Sequence, residues 1–152
     1  MCAYVTTFFA PFVANTKLAI EELGEGIHEV QSKKFIMRIR RGTGHRNDIL
    51  VTILATAERP ANNDDLSKEI GLAVLAEFRG ETLAESPFDT EEAYLRAAAE
   101  LARAAEKLIL PYLLGHRTDF TDLKKFVAAR AEKALREIPD YRFPKNVRKE
   151  WI

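Results

Sequence analysis

The chain has one cysteine, Cys2, in 152 residues, which excludes an internal disulfide and a zinc site built on cysteines. Its three histidines, His28, His45 and His116, stand far apart and lack ligand spacing, so no metal site and no cofactor are expected. No apolar run approaches the ~20 residues that span a bilayer, so no membrane insertion is expected. The apolar opening, residues 1–10, has no basic residue ahead of it and soon meets Pro11. A secretory signal is therefore not expected, and the location read from the sequence is cytoplasmic. An excess of charge of one sign is also missing. Twenty-three basic and 23 acidic side chains cancel, which removes any whole-chain attraction to a polyanion. Repeats, low-complexity tracts and linkers are absent too, and one domain over residues 1–152 is expected, burying roughly 70% of its unfolded surface.

What is present begins with strand periodicity over residues 1–82. Phe35, Met37 and Ile39 alternate with Ile36, Arg38 and Arg40, placing the arginines opposite the larger apolar residues. The cluster Gly42-Thr43-Gly44-His45-Arg46-Asn47-Asp48 reads as a turn, and residues 49–57 as the returning strand of a hairpin. A third strand is expected with Ile70, Leu72, Val74, Ala76 and Phe78 on one face and Leu75, Glu77 and Arg79 on the other. An earlier strand falls between residues 16 and 22 or within residues 4–12, with Gly24-Glu25-Gly26 a turn on either reading. The face opposite Ile53 and Val74 still carries Leu50, Leu54 and Leu75, so the alternation is less clean than one watery side would give. Either the chain's own helices or another subunit covers it; the reading adopted is a subunit.

From Asp89 the period becomes helical. Asp89 with Glu92 resembles a capping box, and Tyr94, Ala97, Ala98, Leu101, Ala105, Leu108 and Tyr112 share one stripe. Pro111 interrupts this helix, expected over residues 90–114, at a position that opposes helix formation by about 3 kcal/mol, so packing must hold it. Gly115 ends it. Asp119 or Thr121 caps a second helix, residues 121–138, with the stripe Leu123, Phe126, Val127, Ala131, Ala134 and Leu135, stopped at Ile138-Pro139. An extended tail, residues 139–152, carries Tyr141, Phe143 and Trp151. Strands followed by helices indicate an α+β fold: an antiparallel sheet of about four strands with two helices on one side.

No catalytic constellation stands out. No serine lies in an elbow motif, and Gly42-Thr43-Gly44 lacks the third glycine of a nucleotide loop. His116-Arg117 follows a helix C-terminus, where the dipole favours positive charge. Lys33, Lys34, Arg38, Arg40, Arg41 and Arg46 form a basic segment free of acidic residues. On a solvated face it suits phosphates, but no aromatic alternates with the arginines to stack bases, and an edge strand is charged for protection as well. Nucleic acid is thus the less favoured partner. Tyr4, Phe8, Phe9 and Phe12 are either core or the lining of a groove for extended apolar polypeptide. Leu50, Leu54, Leu75, Leu101, Leu108 and Tyr112 are candidates for an oligomer or packing surface.

The run into Phe78-Arg79-Gly80, the alanine-rich helix and Leu110-Pro111-Tyr112 resemble the SecB-like export chaperone family over roughly residues 49–135. That family has a late strand ending near a glycine, then a long helix with a Leu/Phe-Pro-Tyr signature. Gly80 would match the glycine, and Pro111-Tyr112 the signature. Thr82 stands where the family usually has phenylalanine, and Gly115 interrupts a helix that there normally continues. The resemblance implies a four-stranded antiparallel sheet with two helices, and a non-enzymatic chaperone that holds unfolded client protein in apolar grooves for protein transport. A homo-oligomer, dimer or tetramer, is expected. The alternative is a dedicated inhibitor or immunity-type protein that binds one specific protein partner.

Overall fold

A computed structural model describes residues 5–14, 16–24, 26–41, 49–83 and 90–137 of the chain. The glycine-rich turn after Arg41, the cap at Asp89, the stop at Ile138-Pro139, the aromatic tail and Tyr4 lie outside the described residues. The fold is α+β: a five-stranded antiparallel sheet with helices packed on one of its faces.

The sheet is a meander, β1 (Ile20–Gly24), β2 (Ile27–Gln31), β3 (Phe35–Arg41), β4 (Ile49–Ala55) and β5 (Ile70–Gly71), in that spatial order. The expected hairpin is β3–β4, paired through Met37↔Ile53 and Arg38↔Thr52. Gly24 and Gly26, at the facing ends of β1 and β2, both take the positive φ that side chains resist. His28, between Ile27 and Glu29, reads from the sequence as a strand or turn residue; it lies within β2, whose polar residues fall on both faces and which pairs with β1 and β3.

Of the two places expected for an earlier strand, the first is the one the chain uses: β1 overlaps residues 16–22 at Ile20–Glu22, whereas Val5–Phe9 is a π-helical turn running into α1 (Ala10–Val13). One expectation about strands fails. The third strand stops after two residues, and Leu72–Phe78 is a helix, α2. Its apolar spacing fits either period. Leu72, Leu75 and Ala76 fall on one helical face and are the buried ones. Leucine and alanine are strong helix formers, which favours the helix once Gly71 releases the chain from the sheet. Gly80 is thus a helix terminator rather than a strand end. At φ +74° it receives the chain as Gly80 N–H donates to the Glu77 carbonyl and Glu81 N–H to the Ala76 carbonyl, the paired closure of a Schellman cap.

The long helix also divides. α3 (Glu91–Leu108) is capped by Thr90, whose hydroxyl accepts from Ala93 N–H at 3.0 Å. It breaks at Ile109 and resumes as α4 (Leu110–Leu113). Pro111 therefore sits in the first turn of a new helix, where its missing N–H has no partner to lose. α4 ends in a second Schellman cap at Gly115, and α5 (Phe120–Arg136) follows.

The main core lies between the helices and the sheet face carrying Val30, Met37, Ile39, Val51 and Ile53. Val5, Phe9, Leu72, Leu75, Ala98, Ala105, Ile109, Tyr112 and Leu123 close it from the helical side. His28 lies on this face, fully buried, opposite Ile39. Neither ring nitrogen has a hydrogen-bond partner, and burial lowers the pKa, with Glu22 acting the other way. Below about pH 6.5 the unfolded chain takes up a proton that the buried ring resists, so stability falls as the solution is acidified through that range. Denaturant titrations between pH 7 and 5 are expected to show a loss approaching ~1.4 kcal/mol per pH unit, absent in His28→Leu.

The opposite sheet face is covered by the chain itself, between β4 and β5. Arg38 projects from the centre of that face and is fully buried. Its Nε donates to Glu29 Oε2 at 3.1 Å, Nη1 to Glu69 Oε2 at 3.4 Å and Nη2 to Asn63 Oδ1 at 3.3 Å. Arg40 reaches Glu69 at 2.7 Å, Thr52 donates to Glu69 at 2.6 Å, and Arg59 pairs with Glu29. Residues 56–69 are thus pinned over the sheet by charge. This corrects the reading that a second subunit covers the face. Leu54 is completely buried there beside Ile36, Leu75 belongs to the helix-side core, and Leu50 alone of the three is exposed, at 40%.

Candidate functional site

Most of the site candidates among the described residues are buried or partly buried in the core. Phe9 is fully buried in the main core, with Phe8 and Phe12 half-buried against it. Phe9 and Phe12 meet edge to face at 6.0 Å, so this aromatic set is largely core. Leu108 and Tyr112 are buried, and Leu101 is half-buried beside them. Arg38 and Arg40 spend their charge on Glu29 and Glu69, not on a solvated face.

An open groove of about 590 Å³ lies elsewhere, where the β2–β3 turn, the end of β4 and the α4–α5 connection meet. Ser32 builds the first wall. Its N–H and hydroxyl both donate to the Phe35 carbonyl, at 2.8 and 3.1 Å, while its Oγ accepts from Phe35 N–H at 3.2 Å. This closes a two-residue turn with Lys33 and Lys34 exposed at its tip. Thr56 N–H donates to the Lys34 carbonyl at 2.8 Å, tying the turn to β4. The second wall follows the Gly115 cap. Gly115 at φ +77° turns the chain so that His116 and Arg117 N–H groups both reach the Pro111 carbonyl, at 2.8 and 3.3 Å. Arg117 and Thr118 are left exposed beyond it.

The floor is three aromatic rings. Phe35 lies 4.8 Å from Phe120 and 5.6 Å from Tyr112 between centroids, and Tyr112 lies 6.0 Å from Phe120, all edge to face. Such pairs contribute about 0.5–1.5 kcal/mol each beyond burial and fix ring orientation. A clamp holds this floor from behind. Arg79, just past α2, grips Asp119 through both carboxylate oxygens at 2.6 and 2.8 Å, and Tyr112 Oη donates to the same carboxylate at 2.7 Å. The Arg79 guanidinium also contacts Tyr112 Oη and lies over the Phe78 ring, 4.8 Å from its centroid. Asp119 occupies the N-cap position of α5, yet its side chain serves the clamp rather than the helix.

The charges of the clamp are fixed. The Arg79 hydrogen bond first, with Tyr112 assisting, lowers Asp119 to about 2. Burial, then the bond to Asp119, pushes Tyr112 up to about 12. Arg79 is itself raised by Asp119. None of the three exchanges a proton near neutrality, so the arrangement positions the groove instead of supplying an acid or base. Among the described residues, no group of three His, Cys, Asp or Glu is placed to hold a metal ion, and no helix is long and apolar enough to cross a membrane.

No protein-family model, curated protein or solved structure matches this chain. The site therefore rests on its own geometry. Sequence reasoning named Lys33 and Lys34 as part of a basic segment but did not separate them from Arg38 and Arg40. The available signal was Ser32 before a Lys-Lys pair, a hydroxyl able to close a tight turn. Arg117 was read only as a cation favoured by a helix dipole, and Asp119 as a possible cap. Their convergence with residues 32–35 is a tertiary event.

Proposed function

We propose that this chain is a non-enzymatic polypeptide-binding protein that holds an extended segment of a client in the groove between the β2–β3 turn and the α4–α5 connection. The observation that carries this reading is an open, aromatic-floored groove backed by a clamp of fixed charge. Its size lies within the ~300–1,000 Å³ typical of ligand pockets. A rigid floor lowers the ordering cost of binding, and half-exposed Leu114 extends the apolar wall. This keeps the holding activity expected of a SecB-like chaperone but moves the site away from the N-terminal aromatics. Assembly as a homo-oligomer is part of the proposal. Its support is the outer half of α5, where Ala131, Ala134 and Leu135 continue the apolar stripe into solvent.

A second reading, an inhibitor of one folded partner, is favoured by one observation. The exposed large apolar residues Leu50, Leu66, Leu95, Leu114 and Leu135 are scattered over different elements rather than joined in a broad trough. Suppression of aggregation of an unfolded model protein at stoichiometric ratio is expected, and loss of that effect in Thr118→Trp, which fills the groove from an exposed position. Unaltered suppression by a well-folded Thr118→Trp would remove the groove from the proposal. No suppression by the wild-type chain would favour the inhibitor reading.

A further inference from the structure

We infer that the groove selects acidic segments, its cationic rim reading carboxylates that flank an apolar side chain seated on the aromatic floor. This rests on the groove being the polypeptide site proposed above. Every charged residue lining the groove is a cation: Lys33 and Lys34 from the β2–β3 turn, and Arg117 from the α4–α5 connection. Among the described residues none of these three has a carboxylate at ion-pair distance. The nearby carboxylate of Asp119 is occupied by Arg79 and Tyr112. Elsewhere the surface cations Lys68, Lys124, Arg130 and Lys107 each meet a glutamate. Lys17, Arg41, Arg103 and Lys125 also lack a carboxylate partner among the described residues, but none of them lines this groove; what sets the groove apart is that three cations meet around one opening with no acidic residue in its lining.

A neutral client entering here would partly desolvate three cations with nothing to replace the lost water, whereas flanking carboxylates supply that replacement. The placement of the cations on two separate elements suits acidic residues on both sides of the seated side chain. A nucleic acid would find the same charge but no stacking surface. Phe35 and Phe120 are each 9% exposed and pack edge to face with Tyr112, which leaves a narrow apolar floor for a side chain but no broad parallel ring face for a base to stack on.

Fluorescence anisotropy would compare three probes on the full chain: an unstructured peptide with one phenylalanine flanked by aspartate and glutamate, its asparagine/glutamine counterpart, and a single-stranded oligonucleotide. The acidic peptide is expected to bind about tenfold more tightly than its neutral counterpart at low salt, a difference that shrinks as salt rises. Lys33→Glu/Lys34→Glu and, separately, Arg117→Glu are expected to abolish that preference, the acidic peptide falling to or below the affinity of its neutral counterpart for the same variant. All three positions are exposed, so the fold should tolerate the changes. Equal affinity for both peptides would overturn the acidic selectivity and leave the polypeptide site standing. No binding of either peptide by folded protein would overturn the site itself. Tighter binding of the oligonucleotide, or concentration-dependent self-association that the charge reversals abolish, would overturn the acidic-peptide assignment in favour of nucleic acid or a second copy.

Discussion

Replacing Glu69 by alanine is expected to lower the unfolding free energy by about 3–5 kcal/mol, a large share of the ~5–15 kcal/mol that holds a typical domain. Glu69 accepts from Arg38, Arg40 and Thr52, and its side chain is 2% exposed. Without it, a fully buried guanidinium keeps Glu29 and Asn63 but loses the carboxylate that ties it to β5. The penalty is one of desolvation: a buried charge stripped of a partner cannot recover water. The same argument predicts that Arg38→Met/Glu69→Leu is less destabilised than Glu69→Ala, because removing both charges leaves neither stranded. Urea denaturation measures the difference, and amide exchange locates it. Protection in residues 56–69 should fall first in Glu69→Ala. Full protection there with wild-type stability would show that charge does not hold this segment to the sheet.

Asp119→Ala is the second large effect, expected at about 2–3 kcal/mol, since it strands the Arg79 guanidinium and the Tyr112 hydroxyl together. The carboxyl, at about 2 in the fold against an ordinary 3.8, contributes stability that is complete above about pH 4. As pH falls from there toward 2, the folded state must bind a proton it disfavours more strongly than the unfolded chain does, and the contribution is lost. Acid titration of wild-type protein should therefore show an extra decline in that window, missing from Asp119→Asn. The clamp also supports the groove. Asp119→Asn is expected to weaken peptide binding more than its modest stability loss predicts, because Tyr112 and Phe120 lose their fixed relation.

The contrast between these two sites explains what was readable in advance. Arg38 and Arg40 were correctly placed opposite Met37 and Ile39, because strand alternation is a local property with a period of two. That Arg38 would be fully buried was not readable. Its acidic partner Glu69 lies 31 positions away, and nothing in the intervening loop is apolar enough to advertise a covering segment. The same holds for Asp119. Position and residue type suggested a cap, and only the arrival of Arg79, 40 positions earlier, diverts the carboxylate. Leu72–Phe78 failed for another reason. Seven residues are too few for apolar spacing to separate a strand from a helix, and the tertiary context chose.

By itself the sequence determined the α+β order, the β3–β4 hairpin, the helical stripe from Ala97 to Leu108 and the terminating role of Gly115. Each follows from periodicity or backbone sterics within a few residues. Only the tertiary structure decided which charges are buried, which segment seals the far side of the sheet, and that Lys33, Lys34 and Arg117 share a groove with Phe35, Tyr112 and Phe120. Those outcomes depend on contacts between residues tens of positions apart. Their energies arise from removing water between the partners, a quantity that no local pattern encodes.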